Sequence, residues 1–155
     1  MAVFKYRLQN VLDIKMRFED QAKSEFSAAS AKLDEEERKL EELLDRKAMY
    51  EEEGRRIRED VLDMQDLRDN ARALDKIKEM IVGQENRVAA ARETLERARG
   101  RLTDAVQERK IHEKLKENSF EEFVHEVNAA ESKEIDELVS YTYGERIKKE
   151  ESNDG

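Results

Sequence analysis

The 155-residue chain has no cysteine, no proline and no tryptophan, and only five glycines. Without cysteine there can be no disulfide scaffold, thiolate zinc site or cysteine nucleophile, and the chain suits a reducing compartment. Without proline, and with so little glycine, it lacks the turn residues that a sandwich, a barrel or a loop-rich α/β fold requires. Long apolar runs are missing as well. Residues 1–10 place Lys5 and Arg7 among scattered apolar side chains, which predicts neither a signal peptide nor a membrane span. The expectation is a soluble, cytoplasmic protein with no direct membrane insertion. Aromatic residues are 6% of the chain and hydrophobic residues 37%, too few to wrap a large core around a deep catalytic pocket.

What the chain does have is charge. Acidic residues number 39 and basic residues 30, so 45% of the chain is charged and the net charge is −9. That balance excludes nucleic acid as the main partner, because phosphate binding needs a clustered basic face. Glu, Lys, Arg, Leu and Ala dominate and favour helix. A disordered chain can share this composition, and periodicity separates the two.

Periodicity is strong. From Ala22, alternating steps of four and three pass through Phe26, Ala29, Leu33, Glu36, Leu40, Leu43, Lys47, Tyr50, Gly54, Ile57, Val61 and Met64, and ten of these thirteen positions are apolar. A 3.5-residue repeat keeps one stripe turned toward a partner helix. Phe4, Leu8, Val11, Lys15 and Phe18 extend it upstream, with two successive steps of four at Phe18–Ala22–Phe26 that predict a stutter. A second stripe runs through Leu74, Ile77, Ile81, Gln84, Val88, Ala91, Leu95, Ala98, Leu102 and Ala105. Two stripes on one chain can satisfy each other by folding back.

The fold class predicted is therefore all-α: a long antiparallel two-helix coiled-coil hairpin with the second helix longer. Residues 1–146 form one hairpin, with helix 1 over about 8–63, the turn over about 65–72 at Asp66, Asp69 and Asn70, and helix 2 over about 73–143. Residues 147–155 are expected to be a disordered tail. One continuous helix is the alternative. At about 1.5 Å per residue the first helix would be roughly 80 Å long. Asp34–Arg38, Glu35–Lys39, Glu42–Arg46, Glu51–Arg55 and Glu93–Arg97 are spaced as helical ion pairs, each contributing roughly 0.2–0.5 kcal/mol.

Beyond Ala105 the stripe loosens, with Arg109 and His112 in seam positions and Leu115 out of phase. Ser119-Phe120-Glu121-Glu122 reads either as a capping box that restarts a helix or as part of one uninterrupted helix. Phe123, Val127, Ala130, Ile135, Leu138 and Val139 then give a weaker apolar face, ending at Gly144 as a C-terminal cap. Catalytic templates fail. His112-Glu113 is followed by Lys116 where a zinc-protease motif needs histidine. Glu122 and His125 have di-iron spacing, but a di-iron bundle needs two such pairs and two further glutamates. No phosphate-binding glycine motif is present. The chain is read as a non-enzyme without cofactor or metal, and Glu36, Lys47 and Gln84 as polar seam residues that set register.

Phe4-Lys5-Tyr6-Arg7-Leu8-Gln9-Asn10-Val11-Leu12, followed by Glu19 and Ala22, resembles the N-terminal signature of the FliJ family of flagellar export proteins. Gln107-Glu108-Arg109-Lys110 with Leu115, and Glu131-Ser132-Lys133-Glu134-Ile135-Asp136-Glu137, resemble that family's middle and C-terminal segments. The resemblance spans about residues 3–146. It implies a stalk-like component of the flagellar type III export apparatus, cytoplasmic and peripheral at the cytoplasmic face of the inner membrane. Its partners would be the hexameric export ATPase, whose ring it helps assemble, the membrane protein of the export gate, and export chaperones. Carried over by motif, Phe4, Leu8, Gln9, Leu12, Glu131, Lys133, Asp136 and Glu137 are the ATPase-binding candidates, while Phe4 and Leu8 read equally as the end of the packing stripe. Leu43, Tyr50, Met80 and Gln84 are the export-gate candidates, and Leu43 and Tyr50 read also as core. The alternatives are the stalk of a virulence secretion system, or a coiled-coil scaffold or chaperone-like hairpin with no ATPase partner.

Overall fold

A computed structural model describes residues 2–61 and 63–154. Two helices account for nearly all of them: α1, Gln9–Glu59, and α2, Met64–Asn153. No strand occurs among the described residues. The helices pack antiparallel, because contacts move down α1 as they move up α2. Asn70 meets Tyr50, Gln84 meets Glu36, and Arg101 meets Glu25. The fold is the all-α two-helix hairpin, with the second helix the longer at 90 residues against 51.

The chain packs as two units. In the first, Arg17–Gln107, the core is a heptad seam of Ala22, Ala29, Ile77, Ile81, Val88, Ala91 and Ala98, with the polar residues Glu36, Asn70 and Gln84 also buried in it. Alanines among larger side chains let the helices approach closely. Arg92–Glu37 at 3.4 Å and Arg101–Glu25 at 3.6 Å bridge the helices at the rim, and the Arg99 guanidinium lies 5.9 Å from the Phe26 ring. In the second, Met1–Met16 with Glu108–Gly155, Leu12 is buried, Lys15 pairs with Glu108 at 3.4 Å, and Phe4 packs on Phe120 and Phe123.

Three local expectations are corrected, and the alternative left open at Ser119 is decided. The turn comes earlier than 65–72. Asp63 ends the connection as the N-cap of α2, its carboxylate accepting from the Gln65 amide at 2.9 Å and its carbonyl from the Leu67 amide at 3.2 Å. Asp66, Asp69 and Asn70 consequently lie inside α2. The stutter is absent: Leu12, Lys15, Glu19, Ala22 and Phe26 step by three and four without interruption, and it is Glu19, 5% exposed, that occupies the seam, while Phe18 is 53% exposed. Glu19 can be there because its carboxylate is paired with Lys23 at 3.1 Å. Helix α2 runs straight through Ser119, which is half-buried in the continuing repeat of Arg109, His112, Lys116 and Phe123. Nor does Gly144 cap it. No described glycine has positive φ, and the strong helix formers after Gly144 carry α2 to Asn153, through most of the expected tail.

Surface ion pairs follow the expected spacing in part. Glu35–Lys39 at 3.1 Å and Glu93–Arg97 at 3.5 Å form, whereas Arg55 turns to Glu52 and Glu51 to Lys47. Exposed pairs interchange at little energetic cost.

Candidate partner-binding surfaces

Among the described residues the concavities are open grooves along helix faces. At the N-terminal end, residues 2–6 are neither helix nor strand, and α1 starts after a turn closed by the Gln9 amide donating to the Tyr6 carbonyl at 3.2 Å. Phe4 is half-buried, edge-on to Phe120 at 5.2 Å between centroids and tilted against Phe123 at 5.5 Å. Leu8 is exposed, Gln9 is half-buried and donates to Asp13 at 2.9 Å, and Leu12 is buried. Phe4 and Leu12 therefore serve packing, and Leu8 faces outward.

Glu131, Lys133, Asp136 and Glu137 lie on α2 beyond the last half-buried seam residue, Val127. Every residue from 128 to 154 is exposed except half-buried Gly144. Alongside the acids, Ile135, Leu138, Val139, Tyr141 and Tyr143 are exposed too, and Leu138, Val139, Thr142, Tyr143 and Arg146 line an open groove. The structure does not bring the N-terminal and C-terminal candidates together. Glu131 lies eleven positions past Phe120, roughly 16 Å along a helix.

The four export-gate candidates divide differently. Leu43 and Tyr50 are half-buried in the seam, and the Tyr50 carbonyl accepts from Asn70 Nδ2 at 2.8 Å. Gln84 is buried, its Nε2 donating to the Glu36 carbonyl at 2.9 Å and to the Glu36 carboxylate. Only Met80, 42% exposed, lies on the exposed surface. The Gln84 amide, followed by the Lys32 ammonium at 3.0 Å, holds the Glu36 carboxyl below its ordinary value, outweighing the opposing effect of burial. Lys32 is raised in turn, chiefly by its hydrogen bond to Glu36.

Sequence reasoning missed Asn70 and Glu19. Extending the second stripe backward by its own rule, from Leu74 to Asn70 to Leu67, would have found the first, since a lone seam asparagine is a register device. Carrying the first stripe back from Ala22 by the same rule reaches Glu19, but a carboxylate beside the more apolar Phe18 gave no hydrophobic signal for the seam. His112 is half-buried in the seam, whereas Glu122 and His125 are exposed, and among the described residues no cluster of three His, Cys, Asp or Glu could hold a metal. No helix among them is long and apolar enough to cross a membrane.

Comparison with known proteins gives a consistent result. The family profile described as Flagellar FliJ protein matches residues 4–148. The Flagellar FliJ protein of Bacillus subtilis (strain 168) is 25% identical over 135 residues, covering 87% of this chain and 92% of the relative. No solved structure matches.

Proposed function

The chain belongs to the flagellar FliJ protein family, a component of flagellar protein export, and from that premise we propose that it is the non-catalytic stalk of the export ATPase complex. In this role it binds the hexameric export ATPase in the cytoplasm, promotes ring assembly, and links the ring to the export gate in the inner membrane and to export chaperones. The family match over residues 4–148 carries the reading. Residues 128–153 support it physically: a solvent-facing helix with Ile135, Leu138 and Val139 beside Glu131, Asp136 and Glu137 is an amphipathic face of the kind that seats in a partner's groove.

The ATPase contact falls to exposed Leu8, Glu131, Lys133, Asp136 and Glu137, with Phe4, Gln9 and Leu12 holding the N-terminal segment in place. For the gate contact, Met80 is the residue best disposed, with Tyr50, Leu43 and Gln84 keeping the hairpin in register beneath it. The test is the hydrolysis rate of the cognate export ATPase titrated with this protein and with a control of equal helicity whose seam is scrambled. Activation by the native chain alone is expected. Absence of activation at concentrations where binding is also undetectable would overturn the stalk.

A further inference from the structure

Phe4 is the aromatic anchor of the N-terminal segment. Val3 and Leu8 stay exposed, so the segment is held at Phe4 and half-buried Tyr6 rather than along its length. The patch beneath it is only partly covered, since Phe120 remains 48% exposed with Phe4 against its edge. The Tyr6 hydroxyl, in the segment itself, is shut away from solvent without a hydrogen-bond partner. In the other unit the buried polar side chains of Gln84 and Asn70 are satisfied, by Glu36 and Tyr50.

An unpartnered buried polar atom favours any state in which it is hydrated. Closing the segment over α2 therefore sets the aromatic packing of Phe4 against the dehydration of the Tyr6 hydroxyl. Buried Leu12 belongs to α1, so the segment itself contributes only half-buried Phe4 and Tyr6 to the packing. We infer that residues 2–8 are a releasable strap: Phe4 masks the Phe120–Phe123 patch of α2, and the unpaired Tyr6 hydroxyl weakens the closed state so that it exchanges with an open one. The inference concerns the isolated chain and does not depend on the export role.

The chain has no tryptophan, so Phe120→Trp supplies a single fluorescent reporter in the patch, with Phe123→Trp as a second in case the first disturbs the stack. Acrylamide quenching is measured in each background, with helicity followed by circular dichroism. Phe4→Ala should raise quenching at unchanged helicity. Tyr6→Phe, which removes the orphaned hydroxyl, should lower it, corresponding to a shift of about fivefold toward the closed state. Unchanged quenching with Phe4→Ala in both reporters would show that Phe4 does not mask the patch. Unchanged or increased quenching with Tyr6→Phe would show that the hydroxyl does not govern release, and would overturn the strap.

Discussion

Glu36 and Gln84 put a carboxylate and an amide inside a seam whose buried apolar residues are Ala, Ile and Val. The pair is stable because the amide donates to both the backbone and the side chain of Glu36 while Lys32 neutralises the carboxylate. Since the folded carboxyl is held below its ordinary value of 4.5, its ionised form contributes stability at pH above the unfolded value, and that contribution is lost as pH falls through the lowered folded value. Glu36→Gln should accordingly flatten part of the drop in melting temperature between about pH 5 and pH 3. An acid limb identical to that of the native chain would contradict this account. Gly54 makes a different kind of contact. A Cβ placed there would come within 2.6 Å of Asn70 Oδ1, and Asn70 is held by its bond to the Tyr50 carbonyl. Gly54→Ala gains about 1 kcal/mol of helix propensity, yet should lower stability overall by about 1 kcal/mol through overpacking. Adding Asn70→Ala should remove the clash and make the two changes non-additive in denaturant melts.

Helix α2 owes its start to one side chain. Asp63 accepts from the Gln65 amide, and Asp66 adds negative charge in the first turn where the helix dipole favours it. Arg56 and Arg58 complement the opposite pole at the end of α1. Asp63→Ala should cost about 1 kcal/mol, within the usual range for a lost N-cap, and Asp60→Ala should cost less, because Asp60 satisfies only the amide of the neighbouring, exposed Val61. Equal losses measured by thermal melts would show that the cap is shared. The continuity of α2 through Ser119 has a simple origin: helix formers on both sides leave the serine hydroxyl no reason to interrupt the ladder.

Residues 128–153 are helix with almost nothing buried, so they add little to the stability of the protein while offering a long free face. Removing residues 128–155 should shift the melting temperature by no more than about 3 °C, and under the stalk reading it should abolish activation of the export ATPase. A truncated chain that still activates fully would move the contact away from Glu131, Lys133, Asp136 and Glu137. Replacing Glu131, Asp136 and Glu137 together by alanine provides the finer comparison, because it preserves helicity and removes only the charged part of the face.

The two apolar stripes, and with them the hairpin class and the greater length of the second helix, were legible from Leu33, Leu40, Leu43, Ile77, Ile81 and Val88, because hydrophobic period is a property of neighbours along the chain. The family signature at Phe4–Leu12 and Glu131–Glu137 was legible for the same reason. Which residue of an adjacent pair faces inward was not. Phe18 is the more apolar, but the phase carried back from Ala22 puts Glu19 in the seam, and an ion pair with Lys23 makes that burial tolerable. Asp66, Asp69 and Asn70 suit a cap in a linear reading, and only hydrogen-bond geometry singled out Asp63 instead. The packing of Phe4 on Phe120 and Phe123, and the engagement of Gln84 by Glu36, join residues far apart in the chain. Local pattern specifies which faces must be covered, but pairing across the hairpin depends on the phase and register of two helices at once, and those are settled only when both are packed.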